Sequence, residues 1–294
     1  MPAIAILGAG LMGRAAAGRL LPVGFRVTAF DPCPPAREAI SRLGAELAPT
    51  PADAAAGADT VLMFLPGPAE VSACVSGPGG LGESLAPGGL VVDLSTVDPA
   101  TTVRMAGLLE TRGSAYLDAP VLGRPASVGQ WTLAVGGTAC ALARARPVLE
   151  HLAGAVIHVG ASGTGNKIKL LNQLMFGAIN AMTAEIMAIA ARMGLPPRQV
   201  FETIAASRAA TVSPLFTELG RRVAEDDYAQ PTFTLKLLEK DVRLAVQMAV
   251  DHQAPPLLGR TVQVLNEMAC SQGAGDLDTA AMWRCIGRCW TGAD

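Results

Sequence analysis

Charge is scarce in this chain. Only 16% of its 294 residues are charged, and the net charge of −2 leaves no basic surplus. That excludes the electrostatic footprint of a nucleic-acid partner. Long apolar runs are lacking too: no run of about eighteen apolar residues escapes polar interruption, so no membrane partner is expected. Met1-Pro2-Ala3 leads straight into a strand-like run. That leaves no room for a leader peptide, and a cytoplasmic protein is expected. The six cysteines (Cys33, Cys74, Cys140, Cys270, Cys285, Cys289) include no CxxC pair and read as reduced thiols. Cys285 and Cys289 lie one helical turn apart, but His151, His158 and His252 add no ligands at a recognisable spacing, so no metal is expected. No Ser/His/Asp or Cys/His signature points to a hydrolase.

What is present begins almost at residue one. The apolar run Ala3-Ile4-Ala5-Ile6-Leu7 feeds Gly8-Ala9-Gly10-Leu11-Met12-Gly13, and a helical pattern through Leu21 follows. A strand that runs through a glycine turn into a helix is the arrangement that holds a dinucleotide pyrophosphate. The first glycine permits the turn, the second lets the backbone approach the phosphates, and the third lets helix and strand pack closely. The first-turn N–H groups of that helix lack internal partners and are aimed at the anion. A second strand, Arg26-Val27-Thr28-Ala29-Phe30, ends at Asp31. An acid about twenty residues beyond the glycines is what the ribose hydroxyls of NAD require, and it repels the 2′-phosphate of NADP. Pro32 follows, where an arginine would greet that phosphate. NAD is therefore expected in preference to NADP.

Short apolar runs at 3–7, 27–30, 60–65, 90–94, 115–117, 133–135 and 156–159 alternate with helical stretches at 35–43, 52–56, 69–75 and 101–110. Buried strands interleaved with helices imply an α/β Rossmann domain with a mostly parallel, doubly wound sheet. After the glycine-rich break Gly160-Ala161-Ser162-Gly163-Thr164-Gly165 the pattern turns helical: 167–193, stopped by Gly194-Leu195-Pro196-Pro197, then 198–206, 214–222, 234–251 and 257–271. The expected division is a dinucleotide-binding domain over 1–163 and an all-α domain over 164–294, opened by a long interdomain helix. On that helix Lys169, Asn172, Gln173 and Phe176 are spaced i, i+3, i+4 and i+7 and fall on one face. Three polar groups on the inner stripe of an apolar helix are costly to bury idly, so a cleft between the domains is expected there.

Taken with Leu65-Pro66, Asp93-Leu94-Ser95-Thr96, Asp118-Ala119-Pro120-Val121, Gly160-x-x-Gly163-x-Gly165-x-x-x-Lys169-x-x-Asn172 and Phe233-x-x-x-Leu237-x-x-Lys240-Asp241, the chain resembles the β-hydroxyacid dehydrogenases. This is the family of 3-hydroxyisobutyrate dehydrogenase and tartronate semialdehyde reductase, and the resemblance covers nearly the whole length. It implies hydride transfer between a nicotinamide and a small 3-hydroxy acid or its semialdehyde. Lys169 is then the general acid/base, since an amine in an apolar cleft beside a cation loses basicity, and Asn172 orients the substrate or the amine. The resemblance assigns Gly8 to Gly13, Asp31, Leu65, Pro66, Thr96 and Lys240 to the cofactor. It assigns Ser95, the loop after Val121, Asn172 and Gln173 to the substrate.

One segment departs from the family. Where Ser-Gly-Gly commonly follows Asp-Ala-Pro-Val, this chain has Leu122-Gly123-Arg124-Pro125. That segment resembles the Gly-Arg variant of sulfolactaldehyde-reductase-like members. Leu122 offers no side-chain hydrogen bond, whereas Arg124 offers a planar, permanently charged fork for a carboxylate, sulfonate or phosphate. A small anionic substrate is expected. Two other readings are a non-catalytic nucleotide sensor and an imine-reductase-like enzyme; Lys169 disfavours both. The Ala-, Met- and Leu-rich helical half, with a stripe at Ile186, Ile189, Ala190 and Met193, implies a homodimer or homotetramer.

Overall fold

The computed structural model describes residues 2–207, 209 and 211–289. The chain divides into two compact units, Met1–Lys169 and Leu170–Asp294. The division falls inside the long helix, whose first turns belong with the first unit.

The first unit alternates strands and helices: β1 (Ala3–Leu7), α1 (Leu11–Leu20), β2 (Arg26–Phe30), α2 (Pro34–Ser41), β3 (Glu46–Leu47), α3 (Pro51–Ala55), β4 (Thr60–Met63), α4 (Pro68–Ser76), α5 (Leu81–Ser84), β5 (Leu90–Asp93), α6 (Pro99–Glu110), β6 (Ala115–Asp118), β7 (Val121–Leu122), β8 (Trp131–Gly136), α7 (Ala139–Leu152) and β9 (Ala153–Gly160). Their nine-stranded sheet runs in the order β3-β2-β1-β4-β5-β6-β8-β7, with β9 against β8. Strands β3 to β6 along that order are all parallel, β8 runs antiparallel to β6 and β7, and β9 is parallel to β8. Every residue of β4 and β5 is buried, which is why their sequences read as unbroken apolar runs rather than alternations. Ile6, Leu62, Val92 and Leu117 pack into one core cluster and Leu7, Val61, Met63 and Val91 into a second, as alternate residues of covered strands must.

The chain order reverses at β1, which has β2 on one side and β4 on the other. Open parallel sheets bind ligands outside the carboxyl ends of the strands at such a switch point. Several helices that follow strands start on a side-chain cap. Asp98 accepts from Thr101 N ahead of α6, Thr50 from Asp53 N ahead of α3, and Thr138 from Ala141 N ahead of α7. Helix α7 runs through Pro147.

The second unit is built on α8 (Thr164–Arg192), followed by α9 (Pro197–Ala205), α10 (Pro214–Glu225), α11 (Leu235–Asp251), α12 (Leu257–Ala269) and α13 (Met282–Cys289). Its core gathers Ala184 and Met187 of α8 with Leu219, Leu238, Val242, Val262 and Met282. By length and mean hydropathy (1.6) α8 is apolar enough to cross a membrane. Its Ala181, Ala184, Met187 and Ala188 pack into this core, and 44% of the apolar stretch is buried.

Candidate active site

The glycine turn is shaped by close approaches. Gly8 has φ +96°, and a Cβ there would run into the carbonyl oxygen of Phe64. Its N–H donates to Phe30 O at 2.9 Å, which ties the turn to β2. A Cβ on Gly13 would strike the carbonyl oxygen of Gly8, so α1 sits directly on the turn. Gly10 caps α1 with no side chain bonded to the helix start and no acid in the first turn. Nothing lies within 4 Å of where its Cβ would be. The helix thus presents unpaired N–H groups to open space, and a dinucleotide pyrophosphate fits that cradle by charge and by room. Leu11 is exposed and Met12 half-buried beside it.

Asp31, half-buried at the end of β2, is held by two backbone donors. Ala9 N–H reaches Oδ2 at 2.7 Å and Cys33 N–H reaches Oδ1 at 2.8 Å. The acid is thereby fixed to the glycine turn, with lone pairs remaining for ribose hydroxyls.

The ends of β4 and β5 are laced together. Ser95 Oγ accepts from Leu65 N at 2.8 Å, and Ser95 N donates to Asp93 Oδ1 at 2.9 Å. Asp93 Oδ2 accepts from Tyr116 Oη at 2.6 Å. Burial first, then the neighbouring Asp93 carboxylate, pushes the Tyr116 hydroxyl well above its ordinary range. Ser95 is itself buried, with its hydroxyl joining two strands, whereas Thr96 is half-buried and Pro66 exposed at the strand ends.

The start of α8 is bound to the same edge of the sheet. Asp118, at the end of β6, accepts from Gly163 N (2.8 Å) and Asn166 N (2.9 Å). Burial outweighs these two donors and lifts its carboxyl to about 6. Lys169 Nζ donates to the carbonyl of Val121 at 2.9 Å. The loop beyond Val121 is fixed through the backbone of Arg124, whose carbonyl accepts from Trp131 Nε1 at 2.7 Å and from Ser127 Oγ at 3.0 Å. Leu122 and Arg124 are half-buried and Gly123 is exposed.

In the first unit the structure therefore brings together the glycine turn, Asp31, the ends of β4 and β5, the Leu122–Arg124 loop and Lys169, all on segments that leave carboxyl ends of strands or, for Lys169, on the helix tied to one. Asn172, one turn beyond Lys169, is exposed. Gln173 is turned inward: it is 3% exposed and donates to Asp241 Oδ2 at 2.6 Å within the helical unit. Lys240 forms an ion pair with Asp241 at 2.8 Å, and Phe176 meets Phe233 edge-on at 5.5 Å. Tyr116, Asn166 and the Asp93 and Asp118 carboxylates went unassigned in the sequence. Both acids lie in motifs legible in the sequence, but their partners are distant along the chain.

Residues 3–160 match the family model described as the NAD binding domain of 6-phosphogluconate dehydrogenase. Residues 163–286 match that described as the NAD-binding of NADP-dependent 3-hydroxyisobutyrate dehydrogenase. The chain is 34% identical to 3-hydroxyisobutyrate dehydrogenase of Pseudomonas aeruginosa, covering 88% of this chain and 89% of that one. It is 31% identical to 3-sulfolactaldehyde reductase of Escherichia coli, covering 96% and 95%. A solved 3-hydroxyisobutyrate dehydrogenase of Salmonella typhimurium superposes with a TM-score of 0.89 at 27% identity, over 97% of this chain and 99% of that one. Fold and relatives together define a pyridine-nucleotide-dependent oxidoreductase acting on a CH–OH group. The chain belongs to the β-hydroxyacid dehydrogenase family.

Proposed function

We propose that the protein transfers hydride between NAD and a small anionic 3-hydroxy acid or its semialdehyde, with Lys169 as the general acid/base. The observation that carries this reading is the placement of the Lys169 amine, hydrogen-bonded to Val121 O at the mouth of the Leu122–Arg124 loop. The nicotinamide, when bound, supplies or takes up the hydride. Lys169 gives a proton to the carbonyl oxygen in reduction and takes it from the hydroxyl in oxidation. Asn172, one turn along the same helix, orients the reacting oxygen. Gly8 to Gly13 hold the pyrophosphate and Asp31 the adenosine ribose. Leu65, Pro66 and Thr96 complete the cofactor contacts of the first unit. Ser95 supports the substrate side from a buried position.

Arg124 holds the anionic end of the substrate in this reading, and the likeness to a 3-sulfolactaldehyde reductase supports it. A charge-assisted hydrogen bond is worth roughly 1.5–3 kcal/mol, or about 10- to 150-fold in kcat/KM. Arg124→Ala is expected to lower kcat/KM by that factor on the best anionic substrate and hardly at all on a neutral aldehyde. Equal small losses on both would remove the arginine from the substrate site.

The active form is proposed to be a homo-oligomer joined through α8. Met175 (66% exposed), Met182 (58%) and Ile189 (43%) recur every seven residues, with Leu171 and Met193 beside them. The stripe is displaced from the sequence expectation: Ala190 is buried and Ile186 packs on the helical core. Light scattering at micromolar concentration should give two or four times the 30.1 kDa chain mass, with Met182→Glu lowering it. A lone species of chain mass for the unaltered protein would contradict this.

A further inference from the structure

We infer that Asp118 and Asn166 are positioning residues for Lys169, fixing the first turns of α8 to the strand ends so that the amine stays at its station beside Val121. The inference rests on the proposed role of Lys169.

A helix start is ordinarily satisfied by a residue just ahead of it. Here the two oxygens of one carboxylate, 45 and 48 residues away in sequence, take the N–H groups of Gly163 and Asn166. A local cap stabilises a helix without setting where it lies on the sheet; a cap sent from a neighbouring strand does both. The site is built around that carboxylate. A Cβ on Gly136 would collide with Asp118 Oδ1, and one on Gly165 would collide with the carbonyl of Ala134 and crowd Asp118.

Asn166, fully buried, adds a second anchor through its side chain. Its Oδ1 accepts from Val97 N at 3.2 Å, and its Nδ2 donates to Thr102 Oγ1 at 3.1 Å. Backbone and side chain of one residue thus tie α8 to the end of β6 and to the segment after β5, which resists rotation of the helix about its axis. Asn166 and Lys169 are related by i, i+3 and lie on one face. Asp118 and Val121 are likewise three residues apart on the segment that faces them. Asp118 with Asn166, and Val121 with Lys169, therefore close a short ring of contacts, and any slip at the carboxylate moves the amine.

The cost of the arrangement points the same way. Burial raises the Asp118 carboxyl to about 6, so keeping it ionised at neutral pH opposes stability. A serine or threonine cap on the helix itself would avoid that cost and lose the tie to the sheet.

The test is a double-mutant cycle on kcat with cofactor affinity read in parallel. Asp118→Asn keeps one acceptor oxygen and sets an amide N–H against the other donor. It is expected to lower kcat by roughly 10- to 100-fold, the scale of a misplacement near 1 Å, with the dissociation constant for NADH changed less than about threefold. Should that variant fail to fold, Thr102→Val removes one Asn166 bond with little change of shape, and is expected to cost about fivefold in kcat. In the Lys169→Ala background either change should cost nothing further. If Lys169→Ala itself lowers kcat but Asp118→Asn or Thr102→Val subtracts its full factor again, the inference fails alone. If Lys169→Ala leaves kcat undiminished, the lysine assignment fails and takes the inference with it. Parallel losses in kcat and NADH affinity would mark a structural cap, and would also overturn the positioning role.

Discussion

Lys169→Ala is expected to lower kcat by roughly two to four orders of magnitude, the usual size of a general acid–base contribution, while NADH binding stays within a few-fold. The split follows from where the side chain sits. The proposed pyrophosphate cradle is made of backbone N–H groups at the start of α1, and Asp31, proposed for the adenosine ribose, is held by Ala9 and Cys33. None of these contacts involves residue 169. The amine instead reaches Val121 O, ahead of the loop with Arg124, which is the side proposed for the substrate. Removing it therefore takes away stabilisation made in the transition state and leaves ground-state cofactor binding alone, so kcat and kcat/KM fall together. Lys169→Arg should recover little, because guanidinium does not give up its proton. A near-normal kcat for the alanine variant would end the proposed mechanism.

The second large effect concerns the cofactor. NAD is expected to exceed NADP in kcat/KM by at least about a hundredfold, since setting like charges together costs several kcal/mol. Asp31 cannot easily swing away from a 2′-phosphate, because both of its oxygens are held by backbone donors. The start of the helix that follows offers such a phosphate no backbone donor, although Arg37 lies near that start. Pro34 and Pro35 open α2, and neither has an N–H at the positions where a helix start would otherwise bind an anion. Asp31→Asn removes the charge and keeps an acceptor for Ala9, so it should narrow the preference by tenfold or more. Comparable kcat/KM with NADP⁺ for the unaltered protein would overturn this assignment.

How far the chain could be read in advance depended on the range of the interactions involved. The β1–α1–β2 unit was legible because its signals are local: a glycine at a turn whose φ of +96° favours glycine, an apolar run, and an acid at a strand end. Helix α8 was legible from its period and from the glycine and prolines that stop it. Strand β3 at Glu46–Leu47 and strand β7 at Val121–Leu122 were not, since two residues carry no period. Helix α7 was hidden by Pro147, which reads as a stop although the helix passes through it. Periodicity grouped Gln173 with Lys169 and Asn172, yet Asp241 draws Gln173 into the helical core. It likewise named an apolar stripe on α8 without saying which side faces the core. The Asp118–Asn166 contact spans 48 residues and has no signature in spacing at all.

Turnover of short anionic semialdehydes and 3-hydroxy acids, followed through the absorbance of reduced nicotinamide with NAD(H) and NADP(H) in turn, bears most directly on the central claim. The panel should present carboxylate, sulfonate and phosphonate ends beside neutral aldehydes of the same length. The account predicts NADH-dependent reduction of at least one anionic semialdehyde, and oxidation of the matching hydroxy acid, well above the neutral compounds. No turnover of any anionic member, or equal turnover of the neutral ones, would contradict it.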